Sequence, residues 1–239
     1  MLYLIGLGLS LQGISAKGLE IAKRCKRVYL ENYTVDFPYP AEQLEEFLGK
    51  KIIPADRDKV EGFEIIDEAK KRDVALLVYG SPLTATTHIS LIHESKKSRV
   101  KCRVIYSASV LDAIPRTGLQ IYKFGKIASM PAWKKSFEPT SFMEIVKNNQ
   151  KINAHSLILI DIGLGLQDAL EQLIESAKKE EVKIKKVLVC SHLGTNKPKI
   201  LYEDIEDLRN YRGIQRPYCL IIPSKLHFLE KEILEDFKK

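Results

Sequence analysis

The peptide Gly80-Ser-Pro-Leu-Thr84-Ala-Thr-Thr-His88 packs small and hydroxylated side chains behind an apolar run, Val74-Ala-Leu-Leu-Val78. The run reads as a buried parallel strand. A Gly-X-Pro turn straight after such a strand lies at the carboxyl edge of a sheet, where α/β folds bind ligands. Small side chains let a backbone come close to a ligand. The same residues also suit a plain turn followed by a threonine-capped helix start. A second turn, Gly6-Leu-Gly-Leu9, follows the apolar residues 2–5, and Gly163-Leu-Gly-Leu166 repeats it later. Neither is a dinucleotide fingerprint, because Leu11 stands where the first would need its third glycine. No Gly-x-x-x-x-Gly-Lys-Ser/Thr occurs, which argues against P-loop nucleotide hydrolysis.

Acid–base and nucleophile patterns are sparse. His88, His155, His192 and His227 are each readable as a base or as a satisfied hydrogen-bonding group. Ser81 lies in Tyr-Gly-Ser-Pro rather than in a Gly-x-Ser-x-Gly elbow. Glu31 and Asp161, at strand ends, suit either a polar ligand contact or a turn. The four cysteines (Cys25, Cys102, Cys190, Cys219) show no metal-ligand spacing and are expected as reduced core residues. No metal is expected. What remains is a site of backbone and small polar groups at several strand ends, suited to a reaction run mainly by positioning.

The elements that must position these groups alternate along the chain. Residues 2–5, 27–30, 51–53, 74–78 and 102–106 read as strands. Residues 15–25, 41–48, 63–71 and 84–96 read as the helices between them. Beyond residue 111 the pattern changes: residues 117–126 suit mixed strands or a connecting segment. Residues 139–149, 167–179 and 226–237 read as helices, and 156–161, 187–190 and 218–222 as strands. The fold class expected is α/β, in two domains, 1–112 and 113–239.

The chain has 239 residues, 45% of them hydrophobic, enough for a large core. No run approaches the roughly 20 apolar residues of a membrane span. The opening residues reach Gly6 at once and are expected as a first strand rather than a leader. Lys and Arg number 38 against 31 Asp and Glu, a net charge of +7. Pairs such as Lys50-Lys51, Lys96-Lys97 and Lys238-Lys239 read as solvated helix faces, yet the excess favours an acidic partner. No nucleic-acid motif with stacking aromatics is present, so direct nucleic-acid binding is not expected.

The order of motifs resembles one family, the diphthine synthases of the tetrapyrrole methylase class. The matching pieces include Tyr3-Leu-Ile-Gly-Leu-Gly-Leu9, Lys17-Gly-Leu-Glu20, Val28-Tyr-Leu-Glu-Asn-Tyr-Thr34, Ala55-Asp-Arg-Asp58 and residues 80–88. They continue with Tyr106-Ser-Ala-Ser109, Thr117-Gly-Leu-Gln-Ile-Tyr-Lys-Phe-Gly125, Pro139-Thr-Ser-Phe142, residues 155–162 and Pro223-Ser-Lys-Leu-His227. Several pieces are nearer the eukaryotic branch. The resemblance implies two α/β domains with S-adenosylmethionine bound in the cleft between them, and a homodimer; the cytoplasmic location is expected from the reduced, scattered cysteines. It implies successive methylation of the modified histidine of elongation factor 2. By motif position, donor contacts fall on Leu9, Ser81, Thr84, Ser109, Val110, Ile160, Leu193 and His227. No general base is assigned.

Ser81 replaces the aspartate of the family's Gly-Asp-Pro turn, which removes a carboxylate from the donor's surroundings. That change opens a second reading, a donor-binding but catalytically impaired homologue that holds elongation factor 2. A third, a relative acting on a corrinoid or porphyrin precursor, is opposed by the Leu-Gln-Ile-Tyr-Lys-Phe-Gly and Lys-Leu-His segments.

Overall fold

Two stretches of five residues, Leu2–Gly6 (β1) and Val74–Val78 (β4), are buried at every position. This continuous burial requires cover on both faces of a sheet. The computed structural model describes residues 1–238, and Lys239 of the last lysine pair lies outside the described residues. The chain divides into two compact units, Met1–Asp112 and Ala113–Lys239.

Around β1 and β4, the first unit holds α1 (Ala16–Arg24), β2 (Arg27–Glu31), α2 (Ala41–Leu48), β3 (Ile53–Ala55), α3 (Arg57–Glu61), α4 (Glu64–Ala69), α5 (Ile89–Lys97) and β5 (Cys102–Ile105). Its five strands are all parallel, in the order β3-β2-β4-β1-β5. Side-chain alternation sends Tyr3, Ile5, Val28, Leu30, Ala75 and Leu77 to one face, against Ile21 and Ala22 of α1 and Leu44 and Leu48 of α2. Leu2, Leu4, Val74, Leu76 and Val78 pack the other face with Val60 of α3, Ile65 and Ile66 of α4 and Leu91 of α5. Each such aliphatic side chain stabilises the unit by about 1.5–3 kcal/mol. The result places the carboxyl ends of β4, β1 and β5 side by side.

The chain passes between the units within α6 (Val110–Ala113). The second unit contains β6 (Ala128–Met130), α7 (Ser141–Lys151), β7 (Ser156–Ile160), α8 (Leu166–Lys179), β8 (Lys186–Ser191), β9 (Lys199–Asp204), α9 (Ile205–Leu208), β10 (Tyr218–Ile222) and α10 (Phe228–Glu235). Its sheet order is β6-β7-β10-β8-β9, parallel between β6 and β7 and antiparallel elsewhere. The apolar stripe of α8 (Leu166, Ala169, Leu170, Leu173, Ala177) packs with Phe142, Met143 and Val146 of α7 on one face of this sheet. Cys190 and Cys219 face each other across β8 and β10, and Cys25, Cys190 and Cys219 are all buried and free.

Four local expectations change or resolve. The helix expected over 84–96 starts only at Ile89, because Ala85 takes a left-handed φ of 56° that a helix cannot contain. The helix expected over 63–71 forms as α4 but starts one residue later, because Phe63 has a φ of 64° and separates it from α3. The alternative left open over 117–126 resolves to the connecting segment, which leaves the 3-10 turn Ile114–Thr117 and contains a second, Ile121–Lys123. Strands β6 and β9 were not expected: one is only three residues long, and Lys199, Glu203 and Asp204 disguise the apolar centre of the other.

Candidate active site

The loop after β1 is held from both neighbouring strands. Leu7 N–H donates to Val78 O at 2.9 Å. Gly8 and Gly80 then exchange both backbone hydrogen bonds, at 3.1 and 2.9 Å. Both glycines have positive φ, 69° and 71°. A Cβ on Gly8 would lie 2.7 Å from Gly13 O, so that turn admits no larger residue. Tyr79 Oη donates to Leu9 O at 3.1 Å from the β4 side. Ser107 Oγ donates to Gly13 O at 2.8 Å from the β5 side.

The loop after β4 folds around one carbonyl. Pro82 O accepts Thr86 Oγ1–H at 2.6 Å and the Nδ1–H of His88 at 3.0 Å. A carbonyl only accepts, so Nδ1 carries the proton. The His88 Nε2 is buried and has no hydrogen-bond partner among the described residues. Thr84 N–H donates to Ser81 O at 3.1 Å, and Ser81 is buried. At the end of β5, Ser109 donates both its N–H and its hydroxyl to Asp112 Oδ2, at 2.7 and 2.8 Å. These bonds hold the Asp112 carboxyl below its ordinary range.

Five of the expected donor contacts, Leu9, Ser81, Thr84, Ser109 and Val110, therefore stand at the carboxyl edge of three adjacent strands of the first unit. The other three belong to the second unit. Ile160 ends β7 and Leu193 follows β8, and both strands run antiparallel to β10, so they finish at the same sheet edge. His227 follows the far end of β10, at the edge where β7 begins, and caps α10. Its exposed ring lies against Phe228 at a centroid distance of 4.2 Å, the two planes tilted by 42°.

Glu31 and Asp161 are turn residues. Glu31 is buried and accepts Tyr33 N–H, Thr34 N–H and Thr34 Oγ1–H, at 2.8, 2.8 and 2.6 Å. Asp161 accepts the N–H groups of Ala132 and Ile162, each at 3.0 Å.

A buried carboxylate that the motif reading does not include organises the neighbourhood of His227. Glu230 Oε1 accepts Gln120 N–H at 3.0 Å and His155 Nε2–H at 3.2 Å. Glu230 Oε2 accepts His227 N–H at 2.7 Å and pairs with Lys123 Nζ. Ser224 N–H donates to His155 Nδ1 at 2.9 Å, which requires that nitrogen to be unprotonated and the ring neutral. Burial likewise pushes the His155 pKa down, against the pull of Glu230. Burial pushes Glu230 up, but Lys123, the amides of Gln120 and His227, and His155 bring it down to about 2. The sequence signal for Glu230 is its place three residues after the His227 cap, the spacing of a capping box.

Residues 1–209 match the profile of the Tetrapyrrole (Corrin/Porphyrin) Methylases. The chain is 37% identical to a diphthine synthase of Methanocaldococcus jannaschii, with 98% of each chain covered. The chain belongs to the tetrapyrrole methylase family, on its diphthine synthase branch. Membership makes it an S-adenosylmethionine-dependent methyltransferase of diphthamide biosynthesis. Human diphthine methyl ester synthase is 45% identical over 181 residues, which are 74% of this chain and 63% of the human protein. A solved structure from Entamoeba histolytica, described as a candidate diphthine synthase, superimposes with a TM-score of 0.90 at 34% identity, covering 100% of this chain and 98% of that one. These matches to diphthine synthases do not favour the reading of a catalytically impaired homologue.

The residues of the first unit fit the methyl donor of this family. Hydroxyls on Ser81, Thr84 and Ser109 are of the kind that suits a ribose or a carboxylate, and Asp112 at the same edge is ionised. The left-handed Gly80 turns the backbone at that edge without a side chain, and the orphaned His88 Nε2 lies at the end of the same loop. Among the described residues, no group of three or more His, Cys, Asp or Glu side chains could hold a metal ion.

Proposed function

We propose that this chain transfers methyl groups in succession from S-adenosylmethionine to the modified histidine of elongation factor 2. The observation that carries the reading is the match of 98% of the chain to a diphthine synthase. We assign the donor contacts to Leu9, Ser81, Thr84, Ser109, Val110, Ile160, Leu193 and His227.

The donor supplies a methyl group already activated by its sulfonium. The chain's own task is to hold and orient. The Gly8–Gly80 pair and the Pro82 carbonyl fix the loops that carry Leu9, Ser81 and Thr84. Asp112 fixes Ser109. Glu230 fixes the backbone of His227. Preorganised positioning of this kind supplies a large part of the rate of a bimolecular transfer. No metal is assigned a role, and donor binding and transfer are expected to survive EDTA.

The protein is proposed to work in the cytoplasm, on a protein acceptor, as a homodimer. Light scattering that gives a monomer mass near 27.2 kDa at micromolar concentration would count against the dimer. The direct test is mass spectrometry of elongation factor 2 that carries aminocarboxypropyl-histidine, incubated with this protein and S-adenosylmethionine. Successive methyl additions on that residue are expected, and an unmodified acceptor would overturn the reading.

A further inference from the structure

The segment at residues 118–127 carries family-specific residues that donor binding does not use. Its Ile121 and Tyr122 are 45% and 79% exposed. The start of α10 presents Phe228 and Leu229, 75% and 46% exposed. Single exposed apolar side chains are ordinary, but four on two adjoining segments make a patch.

The two segments adjoin because Glu230 binds both. Its carboxylate accepts from Gln120 N–H and Lys123 Nζ on one side and from His227 N–H on the other. Lys123 Nζ also donates to Lys225 O at 2.9 Å, which closes the knot. The apolar groups thus stand on a backbone fixed from within. Such a surface loses little conformational freedom on binding.

Charge decides the occupant. Within residues 118–127 and 223–232 the acidic residues are Glu230, buried and neutralised by Lys123, and Glu232, a single exposed carboxylate. Lys126, Lys225 and Lys231 are exposed around the patch. An acidic partner that offers an apolar side chain would satisfy both the charge and the apolar area.

We propose that the surface formed by Ile121, Tyr122, Phe228 and Leu229 docks the protein acceptor of methyl transfer, through an acidic face of that acceptor bearing an apolar side chain. The inference rests on the acceptor being a protein, as argued above.

The test is steady-state methylation of elongation factor 2 by the wild type and by the Tyr122→Ala/Leu229→Ser double variant, with donor affinity measured separately by calorimetry. The acceptor KM is expected to rise about tenfold, with kcat and the donor Kd within twofold of wild type. Tyr122→Phe, alone, is expected to keep a near-wild-type KM, and Lys225→Glu to raise it. An active wild type whose KM is unchanged in the double variant overturns the docking surface alone. A double variant that falls to half the wild-type mass in light scattering also overturns it, in favour of a second copy. A wild type that fails to methylate the acceptor at all overturns the protein-acceptor reading and this inference with it.

Discussion

Glu230 Oε1 accepts the Nε2–H of His155 at 3.2 Å, and both side chains are almost wholly shielded from solvent. The pair is a neutral imidazole donating to an ionised carboxylate. Its two members titrate in opposite senses relative to charge, yet both destabilise the fold in acid. His155 has its pKa pushed below 6.5 by burial, so the unfolded chain binds the proton more readily. Stability therefore begins to fall as pH drops below about 6.5. Glu230 is held at about 2 against an ordinary 4.5, so its contribution is complete above 4.5 and is lost as pH falls towards 2. A shift of this size corresponds to on the order of 3 kcal/mol. Urea midpoints measured from about pH 7.5 down to about pH 3 should decline in two stages. Glu230→Gln should flatten the lower stage and His155→Gln the upper. Unchanged pH profiles in both variants would refute the assignment.

Gly8→Ala should damage the donor loop specifically. The position needs a φ of 69°, and the new Cβ would sit 2.7 Å from a backbone oxygen of Gly13. The left-handed conformation costs about 1–2 kcal/mol for a residue with a Cβ. The clash must also shift the turn that presents Leu9. Donor Kd should rise at least tenfold, while Gly49→Ala, at a left-handed cap with nothing within 4 Å, should cost stability but leave donor affinity alone. Equal donor affinity in wild type and Gly8→Ala would show that the turn does not shape the site.

Much of this arrangement was legible in the sequence. The unbroken apolar runs of β1 and β4 announce a doubly covered parallel sheet, and the small residues after them announce loops that need tight backbone turns. The apolar spacing of α8 shows its buried face directly. The internal structure of residues 81–88 was not legible. Its threonines and histidine look like a helix start, but tertiary geometry at Ala85 and the shared Pro82 carbonyl turn them into a knot. The role of Glu230 was hidden for a different reason. A single charged residue near a helix start looks like a surface cap, and only the return of residues 120–123 and 155 to the same spot makes it a buried hub. Sequence separations of 75 and 107–110 residues leave no local signal.

Ser81→Asp should tighten donor binding or leave it unchanged. The substitution restores the family's carboxylate at a strand-end turn, and a charge-assisted hydrogen bond to a cationic group is stronger than one from a hydroxyl. The position is buried, so the carboxylate must find a partner to be tolerated. Calorimetry is expected to show an equal or lower Kd. A tenfold loss, about 1.4 kcal/mol, would mean that the surrounding loops have adapted to serine.

The last prediction separates the two ligands by salt. The net charge of +7, with Lys126, Lys225 and Lys231 exposed around the apolar patch, attracts an acidic acceptor from a distance. Such attraction raises the association rate more than the final affinity. It weakens as the Debye length contracts from about 10 Å at 0.1 M salt to about 3 Å at 1 M. Donor contacts made by hydroxyls and backbone groups at strand ends involve short distances and few net charges, so they are screened far less. Raising salt from about 0.1 to about 0.5 M should raise the apparent KM for elongation factor 2 several-fold, while the donor Kd changes by less than twofold. Lys225→Glu should reduce the salt dependence of KM, because it removes one of the attracting charges. The lysines would be only solubilising if both ligands responded equally to salt, or if the protein acceptor did not respond at all.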